Sequence, residues 1–193
     1  MTNDNDLLLK EFEGIGFTKN ELESIASGYK KTTVKKGDFL LKAGQISDAY
    51  YFITDGFIRS FVINYEGEEV TTNFFSKNSL IIEESSFFLK LPSKEYIQAL
   101  SDCILWSKHV TVFNEHFNEF EKYREWGREH LVKNFFALKE RSLAMITDTA
   151  TDRYQNLLKN RPEVIQKAPL KQIASFLGIT DTSLSRIRKE LAN

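Results

Sequence analysis

Thr180, Asp181, Thr182, Ser183, Ser185, Arg186 and Lys189 crowd into one short stretch near the end of the sequence. Leu184 and Ile187 stand between them, three residues apart, the spacing of one apolar helix face. On such a helix the polar side chains fall on the outward side. The planar guanidinium of an arginine such as Arg186 matches O6 and N7 of guanine in the major groove of duplex DNA. Asp181 and Thr182, near the helix start, reach base edges. Ser183, Ser185 and Lys189 suit phosphate oxygens, which position a protein without reading sequence. Thr180 or Asp181 is expected to cap the helix by accepting from its free N–H groups.

A reading helix needs a partner that sets its angle. The segment from Leu170 to Leu191, LKQIASFLGITDTSLSRIRKEL, supplies one. Ile173 and Leu177 form the apolar face of a first helix, and Ala174 is small where two helices would cross. Gly178 stands at the turn, where a positive φ is needed. Ile179 plugs the angle between the helices. Helix, tight turn, helix is the pattern of a helix-turn-helix. An ordinary helical hairpin is the plainer alternative. Charge favours the first reading: residues 153–193 carry eight Lys/Arg against three acids, a balance of +5, while residues 1–152 balance to −6. A basic end on an acidic body suits a polyanion partner.

Upstream, the 193 residues are 41% hydrophobic, enough for a core. Leu7, Leu8, Phe12, Ile15, Leu22 and Ile25 recur at helical spacing across residues 7–28. Thr18 with Glu21 predicts a capping box starting a second short helix. From Tyr29 to about Lys108 β-branched and aromatic residues dominate, punctuated by Gly37, Gly44, Gly56 and Gly67. That predicts a sandwich or barrel, with strands clearest at 49–53, 57–63, 70–75, 96–99 and 104–107. Asp55-Gly56 and Glu66-Gly67 are hairpin-type turns. From about residue 111 to 146 one long helix is expected, with Phe117, Phe120, Trp126, Leu131, Phe135 and Leu138 on a broad stripe. The stripe is expected to pack on a second copy of the chain. Burial within its own domain is the alternative.

A β-rich domain, a long helix and a terminal helix-turn-helix, in that order, resemble the CRP/FNR family of bacterial transcription regulators over nearly the whole chain. Lys36-Gly37-Asp38, Ala43-Gly44-Gln45 and Tyr51-Phe52-Ile53-Thr54-Asp55-Gly56 resemble the opening of a cyclic-nucleotide-binding jelly roll. Asp152 to Leu158, Ile173 to Thr180 and Leu184 to Lys189 look like one branch of the family. The resemblance implies an α+β fold of three parts. These are an N-terminal β jelly-roll sensor domain over 1–110, a long dimerisation helix over 111–146, and a helical helix-turn-helix DNA-binding domain over 147–193. It also implies a homodimer reading a palindrome in double-stranded DNA, RNA polymerase as a further partner, and Asp181, Thr182 and Arg186 at the base-reading positions.

Two departures stand out. The sequence stops almost immediately after the second helix of the motif, so part of the family's wing is expected to be absent or supplied earlier. The second departure concerns ligand. Cyclic-AMP binders of the family carry a Gly-Glu pair and, further on, Pro-Arg-Ser, whose arginine neutralises the cyclic phosphate. The matching stretch is Ser79 to Ala99, SLIIEESSFFLKLPSKEYIQA. Pro92 aligns, but Ser93 stands at the arginine's place, and Glu83 stands where the glycine before Glu84 belongs. Lys94 offers charge without the planar fork. Cyclic AMP is therefore not the expected effector, and no cofactor is expected. Glu84, Ser93 and Lys94 remain the candidate wall of a pocket for some other small molecule. The aromatics Phe74, Phe75, Phe87 and Phe88 are the alternative filling.

The remaining chemistry is thin. Cys103 is the one cysteine, which excludes an internal disulfide and a cysteine-held iron–sulfur cluster. His109, His116 and His130 are haem-ligand candidates by type alone, and none lies in the His-rich spacing of a cupin metal site. No metal site and no enzyme are expected. With no apolar run of about 18 residues and no signal-peptide layout at Met1 to Asp6, a cytoplasmic protein with no membrane partner is expected. The rival reading is a small-molecule-binding jelly-roll module, or a cupin-like enzyme, without sequence-specific DNA binding.

Overall fold

The computed structural model describes residues 8–192. Leu7, expected to open the first helix, lies outside the described residues, as do Met1 to Asp6. Contacts divide the chain into two compact units, Met1–Ile58 with Phe75–Lys133, and Arg59–Phe74 with Asn134–Asn193.

In the first unit, residues 8–10 are helical and are followed by a turn. The helix expected across 7–28 is therefore interrupted, at Gly14 and Gly16, both with positive φ. Helix α1, Lys19–Ser27, then starts from the expected capping box, in which Thr18 and Glu21 exchange backbone and side-chain bonds. Strands β1 (Lys30–Val34), β2 (Phe39–Leu41) and β3 (Ala49–Asp55) follow. After β4 (Ile58–Ile63) and β5 (Glu69–Phe75) come β6 (Leu80–Ile81), the short helix α2 (Glu84–Leu89), β7 (Tyr96–Ala99) and β8 (Cys103–His109).

The described strands fall into two four-stranded sheets, the double-sheet build of a jelly roll. One has the order β1-β8-β3-β6. Its antiparallel register sets Val34 opposite Cys103 and Phe52 opposite Trp106, with an irregularity between Ile53 and Asp55. In the other, β2 pairs antiparallel with β7. Alternate inward residues build an aliphatic core of Leu41, Ile53, Ile58, Ile81, Ile97 and Leu105. Gly56 has φ +115 at the turn after β3, and a Cβ there would lie 2.4 Å from Cys103 Sγ and 2.8 Å from its Cα. Only glycine fits that turn. Cys103 is 2% exposed, and burial raises its thiol pKa.

The single helix expected over 111–146 is two helices, α3 (Val110–Glu119) and α4 (Glu121–Thr147). No proline or glycine marks the joint. Phe120 adopts an extended conformation, φ −108 and ψ 113, and packs against an aromatic core that includes Phe113, Tyr123 and Trp126. Arg124 Nη1 donates to the carbonyls of Phe117 and Asn118, each at 2.9 Å, satisfying groups that the end of α3 leaves open. The stripe divides accordingly. Phe117, Phe120 and Trp126 pack within the first unit, whereas Leu131, Phe135 and Leu138 are 39%, 61% and 65% exposed.

The second unit contains most of β4, all but the last residue of β5, the C-terminal half of α4, and the helices α5 (Ala150–Asn160), α6 (Pro162–Lys167), α7 (Leu170–Leu177) and α8 (Asp181–Leu191). Helix α5 starts from a second capping box, Thr149 with Asp152. Pro162 opens α6 at a position where its missing N–H is no loss.

Candidate nucleic-acid interface

Helices α7 and α8 meet through buried side chains. Ile173, Ala174 and Leu177 from α7, and Leu184 and Ile187 from α8, are at most 5% exposed. Between them, Gly178 takes φ 68 and ψ 34, and its N–H reaches the carbonyls of Ala174 and Ser175. The Ile179 N–H returns to the Ala174 carbonyl at 3.0 Å. Together these close the helix end with a left-handed residue.

The end of α7 also has a cap that its own sequence does not supply. Arg153, on α5, donates from Nε and Nη2 to the Leu177 carbonyl at 3.2 and 3.1 Å, and from Nη1 to the Asp148 carbonyl at 2.7 Å. A cation at a helix C-terminus opposes the negative end of the dipole.

Thr180, of the two expected candidates, is the N-cap of α8. Its backbone is extended, and its Oγ1 accepts from the Ser183 N–H at 3.2 Å. Beyond the cap, Asp181, Thr182, Ser185, Arg186 and Lys189 are exposed, and Ser183 is half-buried. Arg186 pairs loosely with Glu190, Nε to Oε1 at 3.7 Å, on a fully solvated face. Asp181, Thr182, Ser185, Arg186 and Lys189 therefore form one outward face, while Ser183, its hydroxyl 3.0 Å from Thr180 Oγ1, borders the buried side of Leu184 and Ile187. Asp181 sits in the first turn and Arg188 and Lys189 in the last, the order the helix dipole favours.

The three candidate pocket residues in the first unit differ in setting. Ser93 is buried, and its hydroxyl is used locally. It accepts from the Glu95 N–H at 3.0 Å and donates to the Glu95 carbonyl at 3.1 Å. Its backbone exchanges bonds with Gly44 and Gln45 at 2.8 Å. Ser93 thus ties down the loop before β2's partner strand. Glu84 and Lys94 are exposed. Glu83, beside Glu84, caps α2, accepting from the Ser86 N–H at 2.7 Å. Of the four aromatics, Phe87 and Phe88 stand edge to face, 5.1 Å between ring centroids. Phe87 is core in the first unit and Phe75 packs on the aliphatic core, Phe88 is 41% exposed, and Phe74 belongs to the second unit.

One cluster escaped the sequence entirely. Lys108 lies on β8 with no exposed surface. Its Nζ donates to the Ile25 carbonyl at 3.0 Å and lies 3.0 Å from His116 Nδ1. It also sits 4.1 Å from the ring of Tyr29 and 4.8 Å from that of Tyr123. The hydroxyls of Tyr29, Tyr50 and Tyr123 form a chain, at 2.5 and 2.6 Å. Burial pulls Lys108 down to about 7. Burial and then the Lys108 charge pull His116 down to about 4. His116 is thus committed to the lysine. Among the described residues, no group of three or more His, Cys, Asp or Glu is placed to hold a metal ion. No described helix is long and apolar enough to cross a membrane.

Comparison with known proteins bears on residues 31–119 and on the fold. Residues 31–119 match the family described as the cyclic nucleotide-binding domain. FixK2 of Bradyrhizobium japonicum is similar over 85% of this chain and 84% of its own, at 13% identity and a TM-score of 0.74. CLP of Xanthomonas campestris, a c-di-GMP-responsive global regulator, is similar over 91% and 92%, at 12% identity and a TM-score of 0.71. A CRP/FNR-family regulator from Eubacterium rectale is similar over 91% and 84%, at 15% identity and a TM-score of 0.72. No curated protein matches by sequence. Residues 31–119 are therefore a domain of the cyclic nucleotide-binding type, carried by a chain with the fold of the CRP/FNR regulators.

Proposed function

We propose that the chain is a transcription regulator of the CRP/FNR type, which as a homodimer reads a palindromic operator in double-stranded DNA. The outward row on α8 carries this reading. It is capped by Thr180 and backed by Leu184 and Ile187, and it presents Arg186 between short polar side chains. Such a helix enters the major groove with its N-terminal residues against base edges. Arg186 would read guanine, Asp181 and Thr182 would touch neighbouring edges, and Thr180, Ser183, Ser185 and Lys189 would hold phosphates.

The second copy is expected on α4. Leu131, Phe135, Leu138, Ser142 and Met145 recur at spacings of four and three. Val132, Phe136, Lys139, Leu143 and Ile146 form a parallel stripe beside them. Most of these apolar side chains are exposed in the single chain. A heptad-spaced apolar seam is what a paired helix buries. Cyclic AMP is not the effector in this reading, because Ser93 occupies the arginine's place and its hydroxyl is already bonded. RNA polymerase and a cytoplasmic setting follow from the regulator role. The test is fluorescence anisotropy with duplex from upstream of the protein's own gene, against scrambled duplex, over a salt series with and without cyclic AMP. Specific binding unchanged by the nucleotide supports the reading. Absence of DNA binding at any salt would favour a ligand-binding module, and binding only with cyclic AMP would overturn the effector argument.

A further inference from the structure

Within the second unit, four successive residues of β5 are held by side chains from α4, from α7 and from Arg161, between α5 and α6. The Thr71 N–H donates to Ser175 Oγ on α7 at 3.2 Å. The Thr72 carbonyl accepts from Arg141 Nη1 on α4. Asn73 Oδ1 accepts from Arg161 Nη1 at 3.1 Å, and the Phe74 carbonyl accepts from Arg161 Nη2. The ring of Phe74 lies 5.4 Å from that of Phe176 on α7. β5 stands at the end of the order β2-β7-β4-β5 in its sheet.

Arg141 joins α4, β5 and α7 by hydrogen bonds. It projects from α4, bonds β5, and donates from Nη2 to the Phe176 carbonyl at 3.1 Å. Its guanidinium carbon lies 4.1 Å from the Phe176 ring centroid. The Phe176 carbonyl is one of the last four of α7, which a helix cannot satisfy itself. The next one, from Leu177, is the carbonyl that Arg153 caps. Two arginines, from α4 and α5, thus grip the end of α7 immediately before the turn into α8.

We propose that Arg141 is a positioning residue for DNA reading, fixing where the α7–α8 pair stands along α4 and hence the half-site spacing the protein selects. The proposal rests on the DNA-reading dimer proposed above. Arg141 lies between Leu138 and Ser142 of the proposed seam, on an uninterrupted helix. No joint therefore separates the seam from the arginine that holds α7. The buried contacts between α7 and α8 carry the constraint on to Arg186. Two half-sites one helical turn apart demand that both reading helices be held in register. The planar fork and the stacked ring need arginine, and a lysine in its place keeps charge without either.

The experiment compares wild type with Arg141→Ala and Arg141→Lys. A palindrome is first selected by wild type from a pool of random duplexes. It is then rebuilt with its half-sites moved by one and two base pairs either way, and as a single half-site. Light scattering establishes the dimer fraction of each protein. Wild type is expected to favour one spacing by about tenfold or more, and both variants to lose most of that preference while binding the single half-site within about twofold of wild type. An unchanged spacing profile in the variants overturns the proposal. An equal loss on the single half-site also overturns it, since Arg141 would then be supporting α8 locally. If wild type selects no sequence, the DNA reading falls and this proposal with it. Hydrogen exchange at the Thr71 amide, which donates to Ser175 Oγ, then still shows whether Arg141 holds α7 against β5, which keeps the two failures apart.

Discussion

Replacing Lys108 with methionine should abolish a pH dependence of stability that the wild type carries. The native Lys108 titrates near 7 because it is buried among Tyr29, Tyr50, Tyr123 and His116, with the Ile25 carbonyl as its acceptor. In the unfolded chain it returns to about 10.5. Between those values the unfolded chain holds a proton that the native chain has released, so stability rises with pH, by about 1.4 kcal/mol per unit. Below pH 7 both states are protonated and the full penalty of the buried charge applies. From pH 7 to about 9.5 the gain sums to about 3 kcal/mol. Higher pH is less useful, because the three tyrosines are raised above their ordinary value, chiefly by burial, and oppose the trend. Lys108→Met leaves the Ile25 carbonyl and His116 Nδ1 without their donor, which costs about 1–3 kcal/mol each. The variant should therefore be clearly weaker at pH 9, with the deficit shrinking toward pH 7. The assay is urea unfolding at half-unit pH steps and one fixed protein concentration, since a dimer's stability depends on concentration. A wild-type-minus-variant difference that stays flat from pH 7 to 9.5 would refute the argument.

Arg186→Ala should weaken specific DNA binding by about 1–3 kcal/mol and relax one base position, read by anisotropy on single-base variants of the selected duplex; unchanged binding means the docking register is wrong. Leu138→Glu should give a monomer by light scattering with the far-ultraviolet circular dichroism of wild type, because Leu138 is 65% exposed in the single chain. Gly178→Ala should cost about 1–2 kcal/mol, mainly for its positive φ, since the Met145 methyl 2.3 Å from the new Cβ can swing away. Gly56→Ala should cost more, about 3 kcal/mol, because the new Cβ meets the Cys103 backbone as well as its thiol; thermal melts that rank the two glycines the other way would contradict this. Stability should also fall from pH 6.5 toward 4, where the unfolded chain protonates a histidine that native His116, held near 4, does not.

What could be read from sequence depended on whether a residue's role was set locally. The turn glycine, the Thr180 cap and the apolar faces of α7 and α8 all stand within one short segment, so their spacing states their geometry. β3, β4, β5, β7 and β8 were legible because runs of β-branched and aromatic residues lie between turn signals. β1 was not, because KKTTV carries charge on a half-covered strand. β6 has only two residues, and α2 only six, so neither sustains a period. The break at Phe120 carries no proline or glycine. Packing of Phe120 on the aromatic core, which is tertiary, goes with it, and Arg124 caps the end of α3 from six and seven residues on. Lys108, Arg141 and Arg153 were invisible for the same reason: each serves a carbonyl far away in the chain, and nothing in its neighbours marks it.

The packing of Cys103 against Gly56 has a practical consequence for spectroscopy. A thiol 2% exposed, with its pKa raised by burial, is a poor nucleophile toward maleimides and iodoacetamides. The native chain therefore behaves toward such reagents as a cysteine-free background. A single cysteine placed at an exposed position on α8 can take a fluorophore or spin label without first removing Cys103. The reporter can thus be added while the packing of Cys103 against Gly56, in the core of the first unit, stays untouched.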